Sequence, residues 1–234
     1  YVFKIVVGEA KLATAEALRA IPYSAVLSTA TTLGTLAAGD GGGGTWRWNA
    51  SSTKSDNTGT VILPTGHGGA GRWERVYDGP VNVLWFGASR DGTNATTTRA
   101  AIQSAIDWAM YRQTAYNANP LGYEDVYIPG GLYSINNVLQ LGYGDGFHTV
   151  HLHGAGIKFA GESGFSGTAI VPTFSDRPAI SVHGARHSKL SKFSILGLNK
   201  TWVDTQGCGG INSTSYTGKS FSRTDTTVTV THPS

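Results

Sequence analysis

The chain has 234 residues, only 14% of them charged, with 32 glycines, one cysteine and a formal net charge of +3. So weak a positive balance, with no run of Lys and Arg on one face, argues against a nucleic-acid partner. A lone cysteine, Cys208, excludes an intrachain disulfide, and no stretch is long and apolar enough to expect membrane insertion.

Serine, threonine and asparagine are abundant, and aromatic and branched apolar residues recur throughout. That mixture suits many short strands joined by turns and is neither long-helical nor disordered. The opening "YVFKIVVGEA" lacks the apolar run and small-residue cleavage site of a signal peptide. A start at Tyr1 and a stop at Ser234, just after "TTVTVT", read as cuts through a longer protein.

"VFKIVV" (2–7) reads as a strand. Residues 9–20, "EAKLATAEALRA", are Ala-rich with Glu early and Arg late, which predicts a helix. From Ser28 to Val76 the signals are β. In "TWRWNA", Trp46 and Trp48 share one face, and in "GRWERVY" Trp73, Arg75 and Tyr77 do the same. "VNVLWF" reads as another strand after the Gly79-Pro80 punctuation.

The clearest helix follows. Ile102, Ala105, Ile106, Ala109 and Met110 form one apolar stripe, with Asn94, Thr96 and Thr97 as N-cap candidates and Gln103 and Asp107 on the wet side. Short alternating segments then recur: "DVYIP", "LYSI", "TVHLHGAG", "TAIVP", "PAISVHG", "LSKFSILG" and "TTVTV". A strand followed by His-Gly occurs at His153-Gly154 and at His183-Gly184. Short strands that cannot bury a face alone point to a β-solenoid. A β-sandwich is the alternative, and the helix before the first strands favours the solenoid.

Several motifs invite a chemical reading. "GDGGGGTWRWNA" (39–50) is dense in glycine, but a phosphate loop needs a helix after it, and here a strand follows. "HGAGIKFAG" (153–161) has Phe159 where a third glycine belongs. His148, His151, His153, His183 and His187 fall in one region. His151 and His153 share a strand face that could bind metal, yet no third ligand is placed, so they read as solvent-side rung residues. Trp46, Trp48 and Trp73 could stack on sugars but read better as core. Glycosidic cleavage needs paired carboxylates, and Asp145, Glu162, Asp176, Asp204 and Asp225 form no pair by spacing. Cys208 has no activating base nearby and reads as an ordinary thiol. Four glycosylation patterns, at Asn49, Asn94, Asn199 and Asn212, arise easily by chance in such a composition. No cofactor, metal or catalytic residue is assigned.

Two stretches carry a resemblance. "AEALRAI…GDGGGGTWRWNASSTKSDNTGTVILP…GRWERVYDGPVNVLWFGA" resembles the region before the β-helix in bacteriophage tailspikes and related bacterial proteins. "FGASRDGTNATTTRAAIQSAIDWA…VYIPGGLYSI" resembles the start of a pectate-lyase-like β-helix: Asp91-Gly92 as the loop, about Thr97 to Tyr111 as the capping helix, and Val126 to Gly131 as the first strand and turn. Asn94-Ala95 stands where the family often has an acidic pair.

The resemblance implies a mainly β fold, with an attachment unit at 1–80 and the first rungs of a right-handed parallel β-helix at 81–234. It also implies a homotrimer on a virion tail. Such a spike meets phage tail or baseplate proteins through its N-terminal region and, at the host surface, capsular polysaccharide or lipopolysaccharide. If it depolymerises that glycan, as a glycoside hydrolase or lyase, the active site is expected beyond these rungs. The rival readings are a secreted bacterial polysaccharide lyase or hydrolase of the same fold, and a non-catalytic structural tail protein.

Overall fold

The computed structural model describes residues 10–21, 27–115 (side chains to 110), 124–142, 149–158, 166–185, 188–197 and the backbone of 203–204. The segments "VFKIVV" and "TTVTV" lie outside the described residues.

The N-terminal unit is a five-stranded sheet in the order β1-β2-β3-β5-β4, built from β1 (Ala10–Leu12), β2 (Thr29–Thr32), β3 (Gly44–Asn49), β4 (Val61–Ile62) and β5 (Arg72–Val76). The β2, β3, β5 and β4 pairings are antiparallel, and β1 joins the edge in parallel. One short helix, α1 (Ala15–Arg19), packs Ala15 and Leu18 against Ala30, Trp46, Ile62 and Trp73.

The helix expected over 9–20 is therefore shorter. Ala10–Leu12 pairs with Ala30–Thr32, and Thr14 starts the helix by accepting a bond from the Ala17 amide. A strand neighbour outweighs the alanine propensity of the first three residues.

"VNVLWF" also departs from expectation. Only Val81–Asn82 is strand (β6), and Val83–Phe86 is a 3₁₀ turn. The Asn82 side chain caps it at the Leu84 amide, and Gly87 closes it at φ 88°. The turn buries Val83, Leu84 and Phe86 together, which strand alternation would not allow.

Helix α2 (Ala95–Ala115) follows and extends further at both ends than the apolar stripe predicted. Ile102, Ala105, Ile106, Ala109 and Met110 are buried as expected. At about 1.5–3 kcal/mol per fully buried large aliphatic side chain, this face anchors the helix. Thr96 and Thr97 lie inside the helix rather than capping it. Asn94, at φ 53°, starts the helix through its carbonyl, which accepts from the Thr98 amide.

The remaining strands coil. β7 (Glu124–Ile128), β10 (Val150–Gly154) and β13 (Lys189–Ser191) stack in parallel with β6 beyond β7. β8 (Gly131–Ile135), β11 (Thr168–Pro172) and β14 (Ser194–Ile195) form a second parallel sheet, and β9 (Leu139–Gln140), β12 (Ile180–Ser181) and β15 (Val203–Asp204) a third. This is a parallel β-helix. A sandwich of the same strands would pair them antiparallel.

"LSKFSILG" is two strands on different sheets, with Lys192 at φ 60° making the corner. The two His-Gly pairs are not equivalent either. His153-Gly154 ends β10, whereas His183-Gly184 lies in a turn past β12.

The first coil would expose three strand edges, and each has its own cover. β6 pairs with β7. The Arg90 carbonyl and Gly92 amide bracket Leu132 of β8 at 2.8 Å each. For β9, a side chain of α2 takes the place of a strand. Gln103 accepts from the Gln140 amide and donates to the Gln140 carbonyl, both at 2.9 Å. Gln103 is thus buried, not on the wet side, because its amide can satisfy a backbone pair. Arg99 adds two bonds to the Val138 carbonyl.

Candidate functional site

The glycine run forms a concave loop of amides, and the anion it holds is its own. The Asp40 carboxylate accepts from the amides of Thr35, Leu36, Ala37 and Gly42 at 2.7–3.1 Å. Burial pushes this carboxyl up, but the bonds from Ala37, Gly42, Leu36 and Thr35 outweigh it and hold it below the usual range. Gly39 and Gly41, at φ 83° and 89°, turn the chain around it. Four of the loop's amides are thus taken by its own carboxylate, in agreement with the strand that follows.

The carbonyls of the same loop face a cation. Arg75, only 7% exposed, donates to Gly59, Gly43 and Gly42 at 2.5, 2.9 and 2.9 Å. Its guanidinium lies over Trp46 at 4.4 Å and Trp85 at 4.9 Å. Burial lowers its pKa to about 9, so it stays charged at neutral pH. From Trp85 the contacts run on to Tyr77, at 4.9 Å between rings, and Tyr77 accepts from the Trp108 indole of α2 at 3.0 Å. The Thr35 hydroxyl also reaches the Leu84 and Trp85 carbonyls. A cleft of about 240 Å³ opens beside this seam, lined by Lys54, Glu74, Tyr77 and Trp108 among others. Two of its charged groups, Lys54 and Glu74, pair with each other at 3.1 Å.

The sugar-stacking reading of the tryptophans fails on burial. Trp46 and Trp73 are 0% and 3% exposed and fill the core of the N-terminal unit. Trp48 packs edge-on against Trp73 and His67.

The richest outward-facing chemistry lies on the first β-helix sheet. Strand register places Asp125, His151 and Lys189 in one column, and Asn82, Tyr127, His153 and Ser191 in the next. The alternate residues Val126, Ile128, Val150 and Leu152 are fully buried, so both columns face solvent. One oxygen of Asp125 lies 3.5 Å from His151 Nδ1 and 4.0 Å from His153 Nδ1. His153 stacks on Tyr127 at 5.2 Å. Burial pushes the His153 pKa down, as do Lys192, His151 and Lys189, with Asp125 opposing.

His151 and His153 thus share a face, as the sequence implies. Among the described residues no set of three His, Cys, Asp or Glu is placed to hold a metal. Asp125 and Tyr127 were missed. Their signal was the alternation in "EDVYI", legible only once β7 and β10 are known to stack in register. Asp176 is exposed and pairs with Arg177 at 2.9 Å, not with another carboxylate. Asp145, Glu162, Asp225, Cys208, His148 and His187 lie outside the described residues, and Asp204 is described in its backbone only. No described helix is long and apolar enough to cross a membrane.

Comparison with known proteins matches this geometry. Residues 11–78 match the family described as the phage tail protein small four-stranded beta-sheet domain, and here four antiparallel strands carry a fifth at the β1 edge. The chain is similar to the solved tailspike protein of an Acinetobacter phage, with 16% identity and a TM-score of 0.57 over 84% of this chain and 31% of that one. It is also similar to Pantoea stewartii WceF, described as a glycan biofilm modifying enzyme with a bacteriophage tailspike-like parallel β-helix fold. There the identity is 18% and the TM-score 0.59, over 86% of this chain and 28% of that one. At such identities the likeness carries the fold, and the chain spans about a third of the length of either structure. Residues 11–78 thus resemble a phage-tail β-sheet domain, and a parallel β-helix of the fold seen in tailspikes follows them.

Proposed function

We propose that this chain is the N-terminal part of a virion tailspike. Residues 1–80 attach it to phage tail or baseplate proteins, and residues 81–234 begin a β-helix that recognises bacterial capsular polysaccharide or lipopolysaccharide. The protein works as a homotrimer at the host cell surface. The observation that carries this reading is the order of parts: a phage-tail β domain at 11–78 passes directly into the cap and first coils of a tailspike-like solenoid.

Depolymerisation of the bound glycan belongs to this reading, by hydrolysis or elimination, with the reacting groups on later coils. The described coils offer no pair of carboxylates for it. The test is to incubate the full-length protein with host cells and with purified capsule and lipopolysaccharide. Retention on the glycan, with or without released oligosaccharide, is expected. Absence of binding to every host glycan overturns the reading.

The likeness to WceF supports a second reading, a bacterial glycan-modifying enzyme of the same fold. The tail-domain match at 11–78 weighs against it. Immunogold labelling of purified virions separates the two, since only a spike is found on tails.

A further inference from the structure

We propose that the solvent face of the first β-helix sheet is a docking strip for an acidic carbohydrate. Its carboxylates meet Lys189, Lys192 and His153, and its rings lie along Tyr127 and His153. The proposal rests on the glycan-binding reading above and narrows it to a charge class and a place.

The argument begins with register. Two columns of outward side chains run across β7, β10 and β13, spaced two residues apart on each strand. At standard strand geometry this is a patch of about 7 by 10 Å, the footprint of one or two sugar rings. The patch offers what a sugar acid needs. Tyr127 and His153 supply tilted ring surface, and Ser191 and Asn82 supply hydroxyl and amide groups. Lys189 and Lys192 are exposed and supply charge.

Charge complementarity selects the occupant. Of the described groups on this face, Asp125 is the one anion, set against two lysines and two imidazoles. The balance is positive even with both histidines neutral. The groups facing His153 are Asp125 and Tyr127 from β7, His151 from its own strand, and Lys189 and Lys192 from the third coil. Three of these are basic groups that disfavour its protonation. A carboxylate seated among them reverses that effect, so ligand and proton bind together. A metal is the poorer occupant, because the carboxylate and imidazoles do not converge on one point. A neutral glycan leaves the lysines without a role.

The test uses the full-length protein, galacturonate tetrasaccharide as probe and maltotetraose as neutral control, read by calorimetry at pH 5.5 and pH 8. The acidic probe is expected to bind a few-fold tighter at pH 5.5 and the neutral one not to bind. Lys189→Ser with Lys192→Asn is expected to weaken binding about tenfold, with an unchanged circular dichroism spectrum. Asparagine is chosen because it tolerates the left-handed backbone at 192. Equal binding of both probes, or no effect of the double variant, overturns the strip.

A second arm uses the host polysaccharide. If wild type and double variant retain it equally, the strip fails and the glycan-binding reading stands. If neither binds any host glycan, that reading fails, and the tetrasaccharide arm still decides the strip. Diethyl pyrocarbonate labelling followed by mass spectrometry checks access. His151 and His153 are expected to be labelled, and the tetrasaccharide to protect them. If they are unlabelled in the free protein, the face is covered by another copy of the chain and the proposal is overturned.

Discussion

The guanidinium of Arg75 lies 4.9 Å from the ring of Trp85, and the two residues belong to different parts of the chain. Arg75 comes from the last strand of the N-terminal sheet, and Trp85 from the turn that leads into the solenoid. With Trp46 also 4.4 Å from it, the cation is a rivet between the core of one part and the base of the next.

Removing the rivet has a definite consequence. Arg75→Ala leaves the Gly59 and Gly43 carbonyls without this donor, takes one of two donors from Gly42, and removes the cation from two indole faces. A loss of about 3 kcal/mol or more is expected in urea unfolding. Arg75→Lys recovers only part of it, because an ammonium cannot span the three carbonyls or stack flat. Proteolysis between residues 77 and 81 is expected to accelerate in both variants.

Asp40→Asn keeps the shape of the glycine loop but loses the charge that binds its amides. A loss of about 1–2 kcal/mol is expected. The same group gives an acid dependence. Its folded pKa lies below the ordinary 3.8, so its contribution is complete above that value and is lost as pH falls through the folded pKa. Melting curves for wild type and Asp40→Asn should therefore stay apart at pH 4 and draw together only as the pH falls further below 3.8.

Gln103→Ala removes the amide that stands in for a strand beside β9. It leaves the Gln140 amide and carbonyl without their partner, and a loss of about 1–3 kcal/mol is expected. Hydrogen exchange at Gln140 should rise far more than at Val126, whose strand keeps its β6 neighbour.

His153 gives the opposite end of the pH profile. Its pKa is depressed below the ordinary 6.5, so the fold favours the neutral ring. Stability is full above pH 6.5 and falls as the pH drops through the folded pKa. His153→Gln should flatten thermal unfolding between pH 7 and 5. An unchanged slope would show that neither burial nor the basic neighbours disfavour the charged ring of His153.

The sequence carried the architecture better than the details. The stripe from Ile102 to Met110 identified α2, and the short alternating segments identified coils, because both periods survive in one dimension. The misread parts were decided by neighbours distant in sequence. Ala10–Leu12 became a strand because Ala30–Thr32 lies beside it. Gln103 went inside because Gln140 presented a bare backbone edge. The columns of the first sheet were hidden for the same reason. His151 meets Asp125 and Lys189 through stacking offsets of 26 and 38 residues, and these are set by loop lengths rather than by any local pattern.

The rivet at Arg75 also sets the weather this molecule can stand. Among the described residues no carboxylate pairs with the cation; it is held by carbonyl dipoles and ring faces. Brine has no ion pair there to pull apart, and mild acid has no partner to neutralise. The first weak point on acidification is one step removed, at Asp40, which keeps the Gly42 and Gly43 carbonyls aimed at the guanidinium. The junction should thus hold through the swings of salt and acidity met outside a cell, and come loose only where Asp40 takes up its proton.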